Sequence, residues 1–259
     1  MARGHDAPRR HEVLGLPVHV LDRSGLLEAV DDMIASGGRH TIAYANIHTW
    51  NTALERPELA EFLRLADVVY CDGEGVRLAA RAQGVRLPER MTGADWIWDL
   101  AEHAASRGYQ VFWIGGREGV AAEAGLRLRQ AHPGLTVVGT HHGYFEHGGA
   151  DSDALVAAVN RAAPDIVLVG MGTPLQEQWV ARVRDGLQAP VVWVLGATAD
   201  FVSGRVTRGP EVLHRHGLEW LARLLVEPRR LWRRYLVGNA RFAARVLRER
   251  QPPPGGRSG

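Results

Sequence analysis

The chain has 259 residues, 46% of them hydrophobic and 23% charged, with a formal net charge of +2. That is enough for one large α/β domain, or one domain with an appendage, and the charge gives no case for a nucleic-acid-binding protein. The single cysteine, Cys71, excludes an intramolecular disulfide and fits a reducing compartment, and no apolar run approaches the ~18 residues of a membrane span.

In chain order, residues 1–12 are polar and Arg-rich and read as a disordered N-terminus. The apolar stretch 13–21 is broken by Gly15, Pro17 and His19, which makes it too short and mixed for a signal segment. Strands are expected at 41–45, 68–71, 110–114, 135–138, 165–169 and 191–195. These are nearly continuous apolar runs, as in strands buried on both faces. Helical patterns fall between them at 25–36, 47–66, 74–83, 94–107, 119–131, 153–162 and 175–187. The alternation predicts an α/β core over 13–205, a mainly parallel sheet with helices on both faces. From 206 the strands stop. Residues 206–250 carry eleven Arg and four Glu, a net charge of +7, and read as a basic helical appendage with helices at 217–226 and 228–248. The tail 251–259, QPPPGGRSG, reads as disordered. There is no lysine, so phosphate contacts must come from Arg forks, helix N-termini or backbone amides.

Ligands of such sheets sit at the carboxyl ends of the strands, where this chain's unusual residues fall. The ends read Ala45-Asn46, Asp72-Gly73-Glu74-Gly75, Gly115-Gly116-Arg117-Glu118-Gly119, Gly170-Met171-Gly172-Thr173-Pro174 and Gly196-Ala197. Together the five point to one shared cleft. Asp72 suits a general base with Gly73 and Gly75 giving close approach, and equally suits a cap on the following helix. Gly115 and Gly116 open a helix and form a candidate anion site. Thr173 is a candidate N-cap, with Pro174 in the first turn. Gln176 and Glu177 follow, where they could meet sugar hydroxyls or a base edge, while Glu177 also suits a helix N-terminus. Arg90 lies on a loop from which it can reach a phosphate or simply face solvent.

Asp151-Ser152-Asp153 spells a D-x-D pattern used to hold divalent metals, but N-capping of the next helix explains it better. His141, His142 and His147 match no zinc spacing. The chain is therefore read as metal-independent and without a cofactor. Cys71 reads as a buried structural thiol.

These motifs, with Glu89-Arg90-x-x-Gly93, Gly143-Tyr144-Phe145, Pro164-Asp165, Gly172-x-Pro174-x-Gln176-Glu177-x-Trp179 and Gly217-Leu218-Glu219-Trp220-x-x-Arg223-Leu224-x-x-Glu227-Pro228, run in one order over residues 13–240. In this the chain resembles the WecG/TagA/CpsF glycosyltransferases, glycosyltransferase family 26. The resemblance implies a Rossmann-like core and an inverting transferase. The donor would be UDP-N-acetylmannosamine or its uronic acid. The acceptor would be N-acetylglucosamine on a polyprenyl diphosphate, in the synthesis of teichoic acid or another surface polysaccharide. It places the catalytic base at Asp72, an active-site Asn at Asn46, the diphosphate-binding Arg at Arg90 and a pocket glutamine at Gln176. Gly73, Gly75, Gly115, Gly116, Gly172, Pro174 and Glu177 would complete the donor site, and Arg223, Arg230 and Arg233 would meet the acceptor's diphosphate. The appendage would lie on an anionic membrane at the cytoplasmic face, and a homo-oligomer stays open. Many members read Thr-Ala-Asn where this chain reads Tyr44-Ala45-Asn46.

Two other classes fit less well. A nicotinamide-dependent oxidoreductase would carry G-x-G-x-x-G in its first βα turn, and the glycine turn here comes late and lacks that spacing. The basic C-terminal segment carries no nucleic-acid motif.

Overall fold

The computed structural model describes residues 8–207, 221, 224–225 and 228–249, with residue 230 described in its backbone alone. A two-stranded hairpin, β1 (Arg10–Val13) and β2 (Leu16–His19), comes first. The strands of the main sheet follow: β3 (His40–Ala45), β4 (Val68–Cys71), β5 (Gln110–Gly115), β6 (Thr136–His141), β7 (Ile166–Gly170) and β8 (Val191–Val194). All pair in parallel, in the order β4-β3-β8-β7-β5-β6. The crossovers are α1 (Arg23–Ser36), α2 (Ile47–Glu55), α3 (Pro57–Leu65), α4 (Glu74–Ala82), α5 (Gly93–Arg107), α6 (Val120–Ala131), α7 (Gly149–Ala162) and α8 (Leu175–Val183). The short helix α9 (Thr198–Val202) follows β8. The α/β class and the mainly parallel sheet are as the alternation predicts.

The apolar runs explain the sheet. β4, β7 and β8 are buried along their whole length, which only a sheet covered on both faces permits. Beneath the strand ends lies an aromatic cluster. Trp96 stacks on Trp193 at 4.1 Å, and Tyr70 meets both edge-on at 5.8 and 5.9 Å. At the edge of the sheet, the Val69 amide donates to His19 Nδ1 at 2.9 Å. A side chain thus takes the place of a strand partner, which blunts an edge that could otherwise pair with another chain.

Several boundaries differ from the sequence reading. The helix expected over 47–66 is two, because Pro57 starts a new one after the extended Arg56. The helix expected over 175–187 ends at Val183, and a 3-10 turn, Arg184–Gly186, follows it. There the Arg184 guanidinium donates to the carbonyls of Leu187, His40, Ala189 and Pro190. β1 begins inside the segment expected to be disordered, since a two-residue turn at Leu14 (φ 52°) and Gly15 (φ 71°) folds it onto β2. The helix expected at 153 starts at Gly149. Asp151 and Asp153 are therefore exposed residues of its first turns that make no cap bond, while Ser152 is buried and accepts from Trp179 Nε1 at 2.9 Å.

Past residue 207, the described residues include α10 (Pro228–Trp232), a π-helical turn at Arg233–Val237 and α11 (Gly238–Glu249). Their extent matches the helix expected over 228–248. Most of the helix expected over 217–226, most of the terminal segment 1–12, all of 251–259, Arg223 and the side chain of Arg230 lie outside the described residues. Among the described residues no helix is long and apolar enough to cross a membrane.

Candidate active site

A cavity of about 730 Å³ opens over the carboxyl ends of β4, β3 and β8. Asn46 and Asp72 stand on its floor, at the ends of adjacent strands paired through Ala45 and Cys71. Asn46 is the N-cap of α2. Its Oδ1 accepts from the Thr49 amide at 3.0 Å, which directs Nδ2 to Asp72 Oδ2 at 2.9 Å. The capping bond therefore fixes the amide's orientation, and the amide fixes the plane of the carboxylate. Asp72 is not the cap of α4. Gly73 takes that position, with no side-chain cap bond.

The glycines next to Asp72 answer a steric demand. A Cβ on Gly73 would lie 3.0 Å from Asn46 Cβ and 3.2 Å from its Cα. One on Gly75 would collide with Ile47 Cδ1. Asn46 and Asp72 come this close because the residue after Asp72 has no side chain.

Arg90 lines the same cavity. Its loop is held to the sheet where the Met91 amide donates to the Cys71 carbonyl at 2.8 Å. From outside, Glu89 accepts from the Arg23 amide at 2.8 Å, and Arg23 also bonds Asp99. The loop is thus fastened on both sides of the arginine.

The other strand ends do not join this cavity. Gln176 and Glu177 are 0% and 1% exposed. Gln176 Oε1 accepts from the amides of Gly172 (3.2 Å) and Gly196 (3.0 Å). Its Nε2 donates to Tyr44 OH (3.3 Å) and Glu177 Oε1 (2.8 Å). All four hydrogen-bonding positions of the amide are filled. Gln176 thus has no capacity left for a ligand, and Glu177, whose Oε1 is held by Gln176 and Thr173, is buried off the cavity lining; the expectation that the two touch a ligand is corrected, and they stand in the wall behind Tyr44. Thr173 is not an N-cap either. Its hydroxyl donates to Glu177 Oε1 at 2.9 Å and shares a 3.0 Å bond with Tyr44 OH. Pro174 occupies the N-cap position of α8. Burial raises the Glu177 carboxyl above its ordinary range and the Tyr44 phenol well above its own.

Gly115 and Gly116 also lie away from the cavity lining. A Cβ on Gly115 would sit 2.6 Å from the Gly170 carbonyl oxygen, and the Gly116 carbonyl accepts from the Gly143 amide at 2.8 Å. These glycines let neighbouring strand ends touch. Gly172 serves the Gln176 network through its amide.

Some cavity residues escaped the sequence reading. His48, in the first turn of α2, faces the space beside Arg234. Burial, and then the Arg234 charge, lower its imidazole to about 4, so it is neutral at physiological pH. Arg234 and Tyr235 also line the cavity, and Arg233, its guanidinium over the Trp232 ring, lines a neighbouring hollow of about 450 Å³ whose lining Arg234 and His48 share.

Cys71 is buried, with its thiol donating to the Gly73 carbonyl at 3.4 Å, and burial pushes it up to about 12. That is a structural cysteine, not a nucleophile. Among the described residues no group of three or more His, Cys, Asp or Glu side chains is arranged to hold a metal ion.

Comparison with known proteins adds two findings. The profile of the glycosyl transferase WecG/TagA/CpsF family matches residues 11–254. An N-acetylglucosaminyldiphosphoundecaprenol N-acetyl-beta-D-mannosaminyltransferase of Bacillus spizizenii is 33% identical over 195 residues, 75% of this chain and 74% of that protein.

Proposed function

This chain belongs to the WecG/TagA/CpsF glycosyl transferase family and is a glycosyltransferase, and from that premise we propose that it transfers N-acetylmannosamine, or a related sugar such as its uronic acid, from UDP to a sugar carried on a polyprenyl diphosphate. The acceptor class follows the relative's name. The observation that carries the chemistry is the Asn46–Asp72 pair, 2.9 Å apart on the floor of the cavity.

In this reading the acceptor hydroxyl attacks the anomeric carbon of the donor in line. The new C–O bond forms as the bond to the diphosphate breaks, with inversion. The hydroxyl proton passes to Asp72, held in plane by Asn46, and the electron pair leaves with UDP. Arg90 answers the charge that develops on the leaving diphosphate. No divalent metal takes part. The C-terminal helices would rest on an anionic membrane at its cytoplasmic face, with exposed Leu225, Trp232 and Leu236, and Arg233 over the Trp232 ring, in support.

The test is a panel of UDP-sugars offered with a synthetic prenyl-diphosphate-linked N-acetylglucosamine acceptor, read by product mass with and without chelator. The expected result is a disaccharide from UDP-N-acetylmannosamine or its uronic acid that chelator leaves unchanged. Transfer from none of the UDP-sugars would end the donor reading. Activity abolished by chelator and restored by Mg²⁺ or Mn²⁺ would end the metal-independent one.

A further inference from the structure

The cavity is polar at one end only. Away from Asp72 it runs between α4 and α11. On α11 the lining includes Phe242, Ala243, Val246 and Leu247, one face at helical spacing, and on α4 it includes Leu78 and Ala79. Leu78 is 57% exposed and Leu247 60% exposed. Two large apolar side chains on opposite walls of one cavity are thus left to water.

The groove has a direction. α4 begins two residues after Asp72, and α11 begins directly after the turn that carries Arg234. Their far ends are joined where Gln83 Nε2 donates to Glu249 Oε2 at 2.7 Å. From the catalytic floor outward the lining is therefore carboxylate and amide, then guanidinium, then hydrocarbon. The opposite side of α11 is committed elsewhere: Arg245 donates to Asn51 Oδ1 at 2.7 Å, and Arg241 and Arg245 both pair with Glu55. Those bonds to α2 keep the apolar face of α11 turned to the cavity.

We propose that the α4–α11 groove holds the first isoprene units of the acceptor, with its diphosphate toward Arg234 and its sugar hydroxyl toward Asp72. This rests on the acceptor reading above. A sugar–diphosphate–prenyl molecule presents hydroxyl, negative charge and hydrocarbon in the order in which the cavity presents their complements. A nucleotide-sugar has no hydrocarbon to place there.

Ala243 and Leu247 are exposed, so Ala243→Trp fills the groove and Leu247→Asp charges it without entering the core. Farnesyl diphosphate and, separately, inorganic diphosphate are titrated into the full-length protein and each variant by calorimetry. Transfer is measured in parallel with a long-prenyl and a short-alkyl acceptor. Farnesyl diphosphate should bind the unaltered protein about tenfold more tightly than inorganic diphosphate, and each variant should remove most of that difference. Affinity for UDP and for inorganic diphosphate should hold within about twofold, and KM should rise about tenfold for the long-prenyl acceptor alone. Equal affinity for the two diphosphates in the unaltered protein would overturn the proposal. So would farnesyl binding unchanged in both variants, or an equal loss with both acceptors. If the unaltered protein transfers sugar to neither acceptor, the acceptor reading fails, and the farnesyl titration still decides the groove.

Discussion

Over the ends of β4, β3 and β8, Asp72, Asn46 and Arg90 border open space. Over the ends of β7 and β5, Gln176 and Glu177 are shut in by hydrogen bonds to their own chain, and Gly115 and Gly170 lie in contact. The two halves draw on the same kinds of residue. What separates them is access: in one half the polar groups, though bonded to their own chain, line the cavity, and in the other they lie inside the wall that shapes it. A polar residue at a strand end is therefore a ligand candidate only where the fold leaves it a face on open space.

The largest expected effect lies in the open half. Asp72→Asn should keep the fold and UDP affinity but lower kcat by about a hundredfold or more, the scale of losing a general base. A folded variant with near-normal turnover would remove Asp72 from that role. In the closed half the loss should fall on stability instead. Gln176→Leu leaves the Gly172 and Gly196 amides without their acceptor, which costs roughly 2 kcal/mol or more. Denaturant unfolding should show this, with UDP affinity per folded molecule little changed. A variant of full stability that no longer binds UDP would place Gln176 back among the ligand contacts.

Glu177 sharpens the contrast through pH. Its carboxyl is raised by burial from 4.5, so the folded chain keeps this proton to higher pH than the unfolded chain does. The contribution is whole below the unfolded value and is lost as pH climbs toward the folded one. Glu177→Gln should abolish that decline, so the variant gains on the unaltered protein between pH 5 and pH 8 in denaturant midpoints. Parallel midpoints across that range would mean the group does not behave as a buried acid. The smallest effect belongs to neither half. Asp153 is exposed and caps nothing, so Asp153→Ala should change stability by less than about 0.5 kcal/mol. A loss of transfer there, in a stable protein, would reopen the D-x-D segment as a metal site.

Much of the open half was legible in the sequence. Buried parallel strands are continuous apolar runs, so the ends of β3 and β4, and with them Asn46 and Asp72, could be located from hydrophobicity alone. The closed half could not be resolved that way. Gln176, in the first turn of the helix that follows β7, reads much like Asn46 after β3, and a one-dimensional reading does not say whether an amide's partners are backbone groups of another strand or a ligand. The hairpin at Leu14 and Gly15 was hidden because four-residue strands give too little alternation to stand out. Arg234 was passed over for Arg230 and Arg233, which an α-helical spacing of three pairs on one side. That spacing gives no weight to Arg234, which the fold places on the cavity.

The π turn at Arg233–Val237 has one more consequence. A π turn amounts to one residue inserted into an α-helix, and each α-helical residue rotates the chain by about 100°. The wider turn already absorbs that residue, so a single deletion within this stretch would restore a continuous α-helix with α11 at nearly its present rotation. A single deletion early in α11 itself would instead turn everything after it by roughly 100°, swinging Val246 off the cavity and Arg245 away from Glu55. The last helix should therefore tolerate loss of a residue in the π turn far better than loss of one just beyond it.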